Sequence, residues 1–340
     1  MIRVLIVDDS AVVRKVLTEE LARADGIEVV GSAPDPYVAR DLIVSLTPDV
    51  LTLDVEMPRM DGISFLERLM QFHPMPVVVV SSLTPHNSEL ALRALSLGAV
   101  EVVPKPGSTY SVPDVSRILV QAIRAAARAR VSALQPSAGK PPTIAAPAAL
   151  KTTHKVLAIG ASTGGTRAIE AVLTSLPASA PGTVIVQHMP EGFTAGFAAR
   201  MNTICPMEVR EAQDGDYLAP GLALIAPGGR HLVLTHSGAR YMVSTKDGPP
   251  VHHQRPAVDI LFQSVARCAG RNAIGVLLTG MGAAGARGLL EMKSSGAHTI
   301  AEAEETCVVF GMPHEAIKLG AAEEITPLPR IAAGILSHLS

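Results

Sequence analysis

Five polar residues stand directly after apolar, strand-like runs in the first part of the chain: Asp8 and Asp9 after RVLIV, Asp54 after VLTL, Ser81 after PVVVV and Lys105 after VEVVP. Helical patterns separate these runs, and the alternation predicts a parallel sheet covered on both faces. Ligands of such sheets bind outside the carboxyl ends of the strands, where all five residues fall. Three carboxylates at one edge repel unless a proton, a cation or an ammonium group neutralises them. Oxygen donors of this kind suit Mg2+, which takes one or two carboxylates together with a phosphoryl oxygen. The set reads as a phosphoryl-transfer site. Asp54 is the nucleophile, Mg2+ offsets the transferring charge, and Lys105 and the Ser81 hydroxyl hold the phosphoryl oxygens.

A second chemical signal lies in GASTGGT, residues 160–166, between the apolar run KVLAIG and the helical pattern RAIEAVLTSL. Glycines let backbone N–H groups approach an anion, so such a turn serves either a phosphate or a nucleophile. A Walker loop needs lysine where Thr166 stands, and a dinucleotide turn needs glycine where Ser162 stands. Ser162 as a nucleophile remains, with backbone N–H groups available to an oxyanion. The next run, TVIVQ, ends in His188, which brings an imidazole base to the same edge. A third run, AIGVLLT, leads into the glycine-rich GMGAAGARG. Three strand ends meeting at one point form an acyl-transfer site.

The elements that must position these residues fall into two series. Five strand–helix units precede Val131; then VSALQPSAGKPPTIAAPAALKTTH, with its prolines, alanines and serines, reads as a linker. A second α/β series follows, and the pieces ALIAP, HLVLT and RYMVS within it predict inserted antiparallel hairpins. The expected architecture is α/β in two domains: a (βα)5 parallel sheet at 1–125, a linker at 126–154, and a doubly wound α/β domain with a hairpin insertion at 155–340.

With 48% hydrophobic and 18% charged residues and a formal net charge of −2, the chain reads as globular, without a basic surface for nucleic acid. No apolar run approaches the ~18 residues of a membrane span, and Asp8 and Asp9 interrupt the N-terminus too early for a signal peptide. A cytoplasmic monomer without membrane insertion is expected. Cys205, Cys268 and Cys307 form no C-x-x-C pair and read as reduced structural thiols. His252 and His253 are adjacent, which on an extended strand points them to opposite faces; no zinc is expected there, and no cofactor in the second domain.

The motifs VDDS, LDVEMPRMDG, SS and KP resemble the receiver domain of bacterial response regulators over residues 1 to about 125. The resemblance implies that Asp54 accepts phosphate from a histidine kinase and that Asp8 and Asp9 lie on the Mg2+ side. It also implies that the main-chain carbonyl of Glu56 completes the metal site. Val102, three residues before Lys105, occupies a place where many receivers carry an aromatic switch.

From about residue 154 onward, IGASTGG, QHMP, APGGRHL, RPAVDILFQSVA, LLTGMG and ETCVVFGMPHEAI resemble the catalytic domain of the chemotaxis protein-glutamate methylesterases. That resemblance implies hydrolysis of glutamate methyl esters on methyl-accepting chemoreceptors, with deamidation of receptor glutamines. Ser162 attacks, His188 moves the proton, and the backbone around Met281 contributes oxyanion donors. Family members carry an aspartate four residues after the glycine of LLTG, and here that position is Ala284. An acid there fixes the histidine tautomer and stabilises the imidazolium, so its absence predicts impaired catalysis. Three origins of the alanine stay open: deliberate inactivation, natural loss of catalysis, or replacement by another acid such as Glu302, Glu304 or Glu305. A regulator that acts through phosphorylation-controlled binding of a receptor or partner stays open as well.

Overall fold

The computed structural model describes residues 1–57, 60–106, 111–131 and 154–339. The chain divides into two compact units, Met1–Pro136 and Ser137–Ser340. Most of the stretch read as a linker lies outside the described residues.

In the first unit, β1 (Ile2–Val7), β2 (Ile27–Ala33), β3 (Val50–Asp54), β4 (Val77–Ser81) and β5 (Glu101–Pro104) alternate with five helices. These are α1 (Ala11–Leu21), α2 (Pro36–Leu46), α3 (Gly62–Phe72), α4 (Pro85–Ser96) and α5 (Val112–Ala126). The strands pair in parallel in the order β2-β1-β3-β4-β5. β3 and β4 are buried along their whole length, which accounts for their unbroken apolar text. Each helix begins at a side chain that accepts a backbone N–H: Ser10, Asp35, Asp61, Thr84 and Ser111. Such caps contribute about 1 kcal/mol each. The chain leaves β1 for one neighbour, β2, and returns on the other side as β3. The crevice at that reversal is flanked by Asp8, just past β1, and Asp54, the last residue of β3.

The second unit holds β6 (Val156–Ala161), β7 (Gly182–Gln187), β8 (Glu208–Glu211) and β9 (Leu222–Ile225), then the hairpin strands β10 (His231–Ser237) and β11 (Arg240–Lys246). It ends with β12 (Ala273–Leu277), β13 (His298–Glu302) and β14 (Glu324–Thr326). Its helices are α6 (Gly165–Ser175), α7 (Thr194–Ile204), α8 (Val258–Ala269), α9 (Ala286–Ser294), α10 (Met312–Lys318) and α11 (Leu328–Ser337). Seven strands form one parallel sheet in the order β14-β13-β12-β6-β7-β9-β8. Here too the order reverses at the first strand: β7 lies on one side of β6 and β12 on the other.

The expectation of antiparallel hairpins holds for β10 and β11, which pair from His231↔Lys246 to Ser237↔Arg240. It fails for ALIAP. That run is β9, parallel to both β7 and β8, and all four of its residues are buried. A short apolar strand covered on both faces carries no alternation to reveal its direction. β8, β13 and β14 were not foreseen at all.

Gly62 opens α3 against the end of β3, and a Cβ there would lie 2.1 Å from the Asp54 carbonyl oxygen. Backbone cannot yield to such a contact without moving the aspartate. Gly62→Ala should therefore destabilise the first unit by about 1–3 kcal/mol, read as a lower urea midpoint of its unfolding transition; an unchanged midpoint would refute the close packing.

Candidate functional site

At the first edge, Lys105 binds two carboxylates at once. Its Nζ lies 2.7 Å from Asp54 Oδ2 and 2.9 Å from Asp8 Oδ2. Asp54 and Asp8 are buried, Asp9 is exposed, and carboxylate oxygens of all three gather within 4.8 Å of one another. Burial pushes the Asp54 carboxyl up to about 6 despite the opposing Lys105 ammonium, and Asp8 adds to the rise. Burial works to lower the Lys105 pKa, but the Asp54 and Asp8 carboxylates outweigh it and hold the ammonium above the ordinary lysine value. One cation against three carboxylates leaves a negative excess at an oxygen-only site, which fits a hard dication such as Mg2+.

Glu56 touches this cluster through its N–H, which donates to Asp54 Oδ1 at 3.2 Å. Ser81 lies at the same edge, but its hydroxyl is turned to the carbonyls of Ser82 and Asn87, each at 3.4 Å. Val102 is buried in β5.

At the second edge, Ser162 follows β6 and His188 follows β7, and the register pairs Ala161 with Gln187 just before them. The Ser162 N–H donates to Thr279 O at 3.0 Å, and the His188 N–H donates to Ala161 O at 3.1 Å. Backbone bonds therefore bring the serine, the histidine and the turn after β12 to one place. Gln187, not foreseen as a site residue, joins them: its Nε2 donates to Ser162 O at 2.9 Å and to His188 O at 3.1 Å. A Cβ on Gly165 would lie 2.2 Å from Gln187 Oε1, so the last glycine of the turn makes room for this amide. Met281 is half-buried in the same turn region, after Gly280, whose carbonyl accepts the N–H groups of Gly311 and Met312.

The family model of the response regulator receiver domain matches residues 4–114, and that of CheB methylesterase matches residues 157–335. The chain belongs to the CheB methylesterase family. One relative, protein-glutamate methylesterase/protein-glutamine glutaminase 2 of Syntrophus aciditrophicus (strain SB), is 57% identical over 341 residues, covering 98% of each chain. The protein-glutamate methylesterase/protein-glutamine glutaminase of Salmonella typhi is 53% identical, covering 100% of this chain and 97% of its own. The Thermotoga maritima CheB methylesterase catalytic domain superposes with a TM-score of 0.53 at 37% identity, covering 54% of this chain and 98% of that one.

At position 284, where the resemblance to the methylesterases implies an aspartate, the chain has alanine. Ala284 is buried in the turn between β12 and α9, and the buried His188 ring has no hydrogen-bond partner at Nε2. Burial, and secondarily the charge of His252, pull the His188 pKa down to about 3. The ring is neutral at physiological pH.

Asp259, also not foreseen, reaches the same turn from α8. Its Oδ2 accepts the Gly285 N–H at 2.7 Å and its Oδ1 the Gly288 N–H at 2.9 Å. His252 Nε2 lies 3.6 Å from Asp259 Oδ2. The expectation of an extended strand at His252–His253 is overturned: both are left-handed, with φ of 51° and 63°, in a tight turn closed by reciprocal Val251–Gln254 backbone bonds. A two-residue loop with both φ positive closes a hairpin, which adjacent histidines do not advertise.

Of the three candidate replacement acids, Glu302 is fully buried at the end of β13, accepts the Thr279 N–H at 2.8 Å, and is held above the usual carboxylate range by burial. Three strand spacings, about 14 Å, separate β13 from the His188 strand, so Glu302 braces the β12 turn and does not serve His188. Glu304 and Glu305 are exposed, and neither is among the charges acting on the His188 ring. Cys307 is buried, with its Sγ 3.9 Å from the Glu302 carbonyl; Cys268 donates to Leu234 O; and burial, with Glu170 assisting, pushes Cys205 up to about 12.

The His188 ring resonances should show no protonation between pH 8 and 5 in an NMR titration. A midpoint near the ordinary histidine value of about 6.5 would contradict the desolvated ring.

Proposed function

We propose that this chain is a phosphorylation-regulated serine hydrolase that cleaves glutamate methyl esters on methyl-accepting chemoreceptors and deamidates receptor glutamines. The observation that carries the reading is the placement of Ser162 and His188 at matched ends of the adjacent strands β6 and β7. Ser162 Oγ attacks the ester carbonyl as His188 takes its proton. Backbone N–H groups at the start of α6 and around Met281 face the developing oxyanion. His188 gives the proton to the departing methoxide oxygen, releasing methanol, or to the departing amide nitrogen, releasing ammonia, and a water molecule then hydrolyses the acyl-Ser162 ester by the same steps to free the glutamate.

Asp54 receives the phosphoryl group from a histidine kinase. Mg2+, held by Asp8, Asp9, Asp54 and the Glu56 carbonyl, would offset the phosphoryl charge when bound. Lys105 pairs with the phosphoryl oxygens, and Ser81 supplies its hydroxyl after turning from the Asn87 carbonyl. The two units read as a receiver at 1–125 and a catalytic domain at 155–340, acting as a monomer in the cytoplasm.

Ala284 modifies this reading. Without the carboxylate, the triad lacks the group that fixes the histidine tautomer and stabilises its imidazolium, so catalysis is impaired. His188 Nε2 has no hydrogen-bond partner, Ser162 Oγ included, which favours a second reading, a receptor-binding regulator that has abandoned the chemistry.

Methanol release from methylated receptor separates the two. Ala284→Asp should raise kcat by about 10³–10⁴-fold, a small phosphodonor should raise it further, and Ser162→Ala should abolish it. Equal rates for the parent and Ala284→Asp proteins would show that the acid is dispensable. An inert Ala284→Asp protein that still binds receptor in response to the phosphodonor would establish the binding-only reading.

A further inference from the structure

At the opposite end of the second sheet from Ser162, four side chains with no part in the proposed chemistry converge. His298 opens β13, Glu324 opens β14 after Glu323, and His338 follows α11. The parallel register sets Glu324 beside Ile300, two residues along β13 from His298, so the histidine and the glutamate share one face of the sheet. His298 Nε2 is 3.4 Å from Glu324 Oε2, and His338 Nε2 is 3.8 Å from the same oxygen. Ligand atoms of all three residues lie within 4.8 Å of one another.

Two further contacts orient these groups. His298 Nδ1 lies 3.0 Å from Glu323 Oε2, and Glu324 Oε1 accepts the Thr326 hydroxyl at 2.6 Å. A ring carrying one proton can donate to only one of Glu323 and Glu324, and its other nitrogen then meets a carboxylate oxygen lone pair to lone pair. That arrangement repels unless a cation lies between them.

We propose that His298, Glu324 and His338 form a Zn2+ site, with Glu323 and Thr326 orienting two of the ligands and water completing the tetrahedron. Bonds of about 2.0–2.1 Å at tetrahedral angles separate neighbouring ligand atoms by about 3.4 Å, the distance found between His298 Nε2 and Glu324 Oε2. Carboxylate and hydroxyl partners behind the ligands are the usual outer support of zinc sites. The imidazoles are stacked, 3.5 Å between centroids and 28° between planes. Coordination requires the His338 ring, 40% exposed at the chain's last turn, to swing outward. The ion would pin the C-terminal helix α11 to strands β13 and β14, a structural role remote from Ser162.

The test uses the full-length, untagged protein stripped with EDTA and titrated with ZnCl2 alone, by calorimetry and by metal analysis after dialysis. The expected result is one zinc per chain, at micromolar affinity or tighter, with a higher melting temperature of the second unit. His338→Gln and Glu324→Gln should each weaken binding at least tenfold and remove the thermal shift. Asp54→Asn, at the other oxygen-rich cluster, should leave both intact. His338 lies beyond the last helix, so its variant folds and keeps the test decisive even if Glu324→Gln does not. Undiminished zinc in His338→Gln, or zinc lost in Asp54→Asn instead, would overturn the proposal. So would a melting temperature that follows pH through the histidine range and ignores zinc, which would mark a proton as the cation between these groups.

Discussion

The second unit's site depends on backbone hydrogen bonds at the ends of three parallel strands. Gly160 O takes the Leu278 N–H, Thr279 O takes the Ser162 N–H, and Ala161 O takes the His188 N–H. Parallel strands stand about 4.8 Å apart, so the turns that follow β12, β6 and β7 have little freedom in where they begin. The position of Ser162 relative to His188 is thus a property of the sheet. A carboxylate at position 284 contributes nothing to that ladder, which is why the fold and the rest of the CheB motifs coexist with an alanine there.

The two units use the same topological reversal for opposite electrostatics. In the first, Asp8, Asp9 and Asp54 are concentrated around one ammonium, and a carboxyl is raised to about 6 while still paired. In the second, the His188 ring is buried, Nε2 has no hydrogen-bond partner, and the charged form is suppressed. One site gathers an excess of negative charge around a cation; the other holds an imidazole neutral.

Residues at strand ends were legible in the sequence because a polar side chain closing an apolar run marks the carboxyl edge of a strand, where ligands of parallel sheets bind. Asp54, Lys105, Ser162 and His188 all follow that rule. What escaped was of two kinds. Short strands without alternation hid either their direction, as in β9, or their existence, as in β13, where His298 and Glu302 flank only three interior residues. Supporting side chains escaped because their partners are set by tertiary proximity: Asp259 acts on Gly285 and Gly288 from 26 and 29 residues away. Gln187 is adjacent in sequence to His188, yet its reach to the Ser162 carbonyl exists only once β6 and β7 are paired. The buried glutamine at the end of TVIVQ was itself a signal, since a polar amide on a fully buried strand needs partners.

Gln187 also bears on motion. A single amide nitrogen holds the carbonyls of both Ser162 and His188, so the two turns are tethered to a common point as well as to neighbouring strands. Displacements of the sheet edge then carry Ser162 and His188 together, as a common mode, and relative excursions between the two turns are restrained.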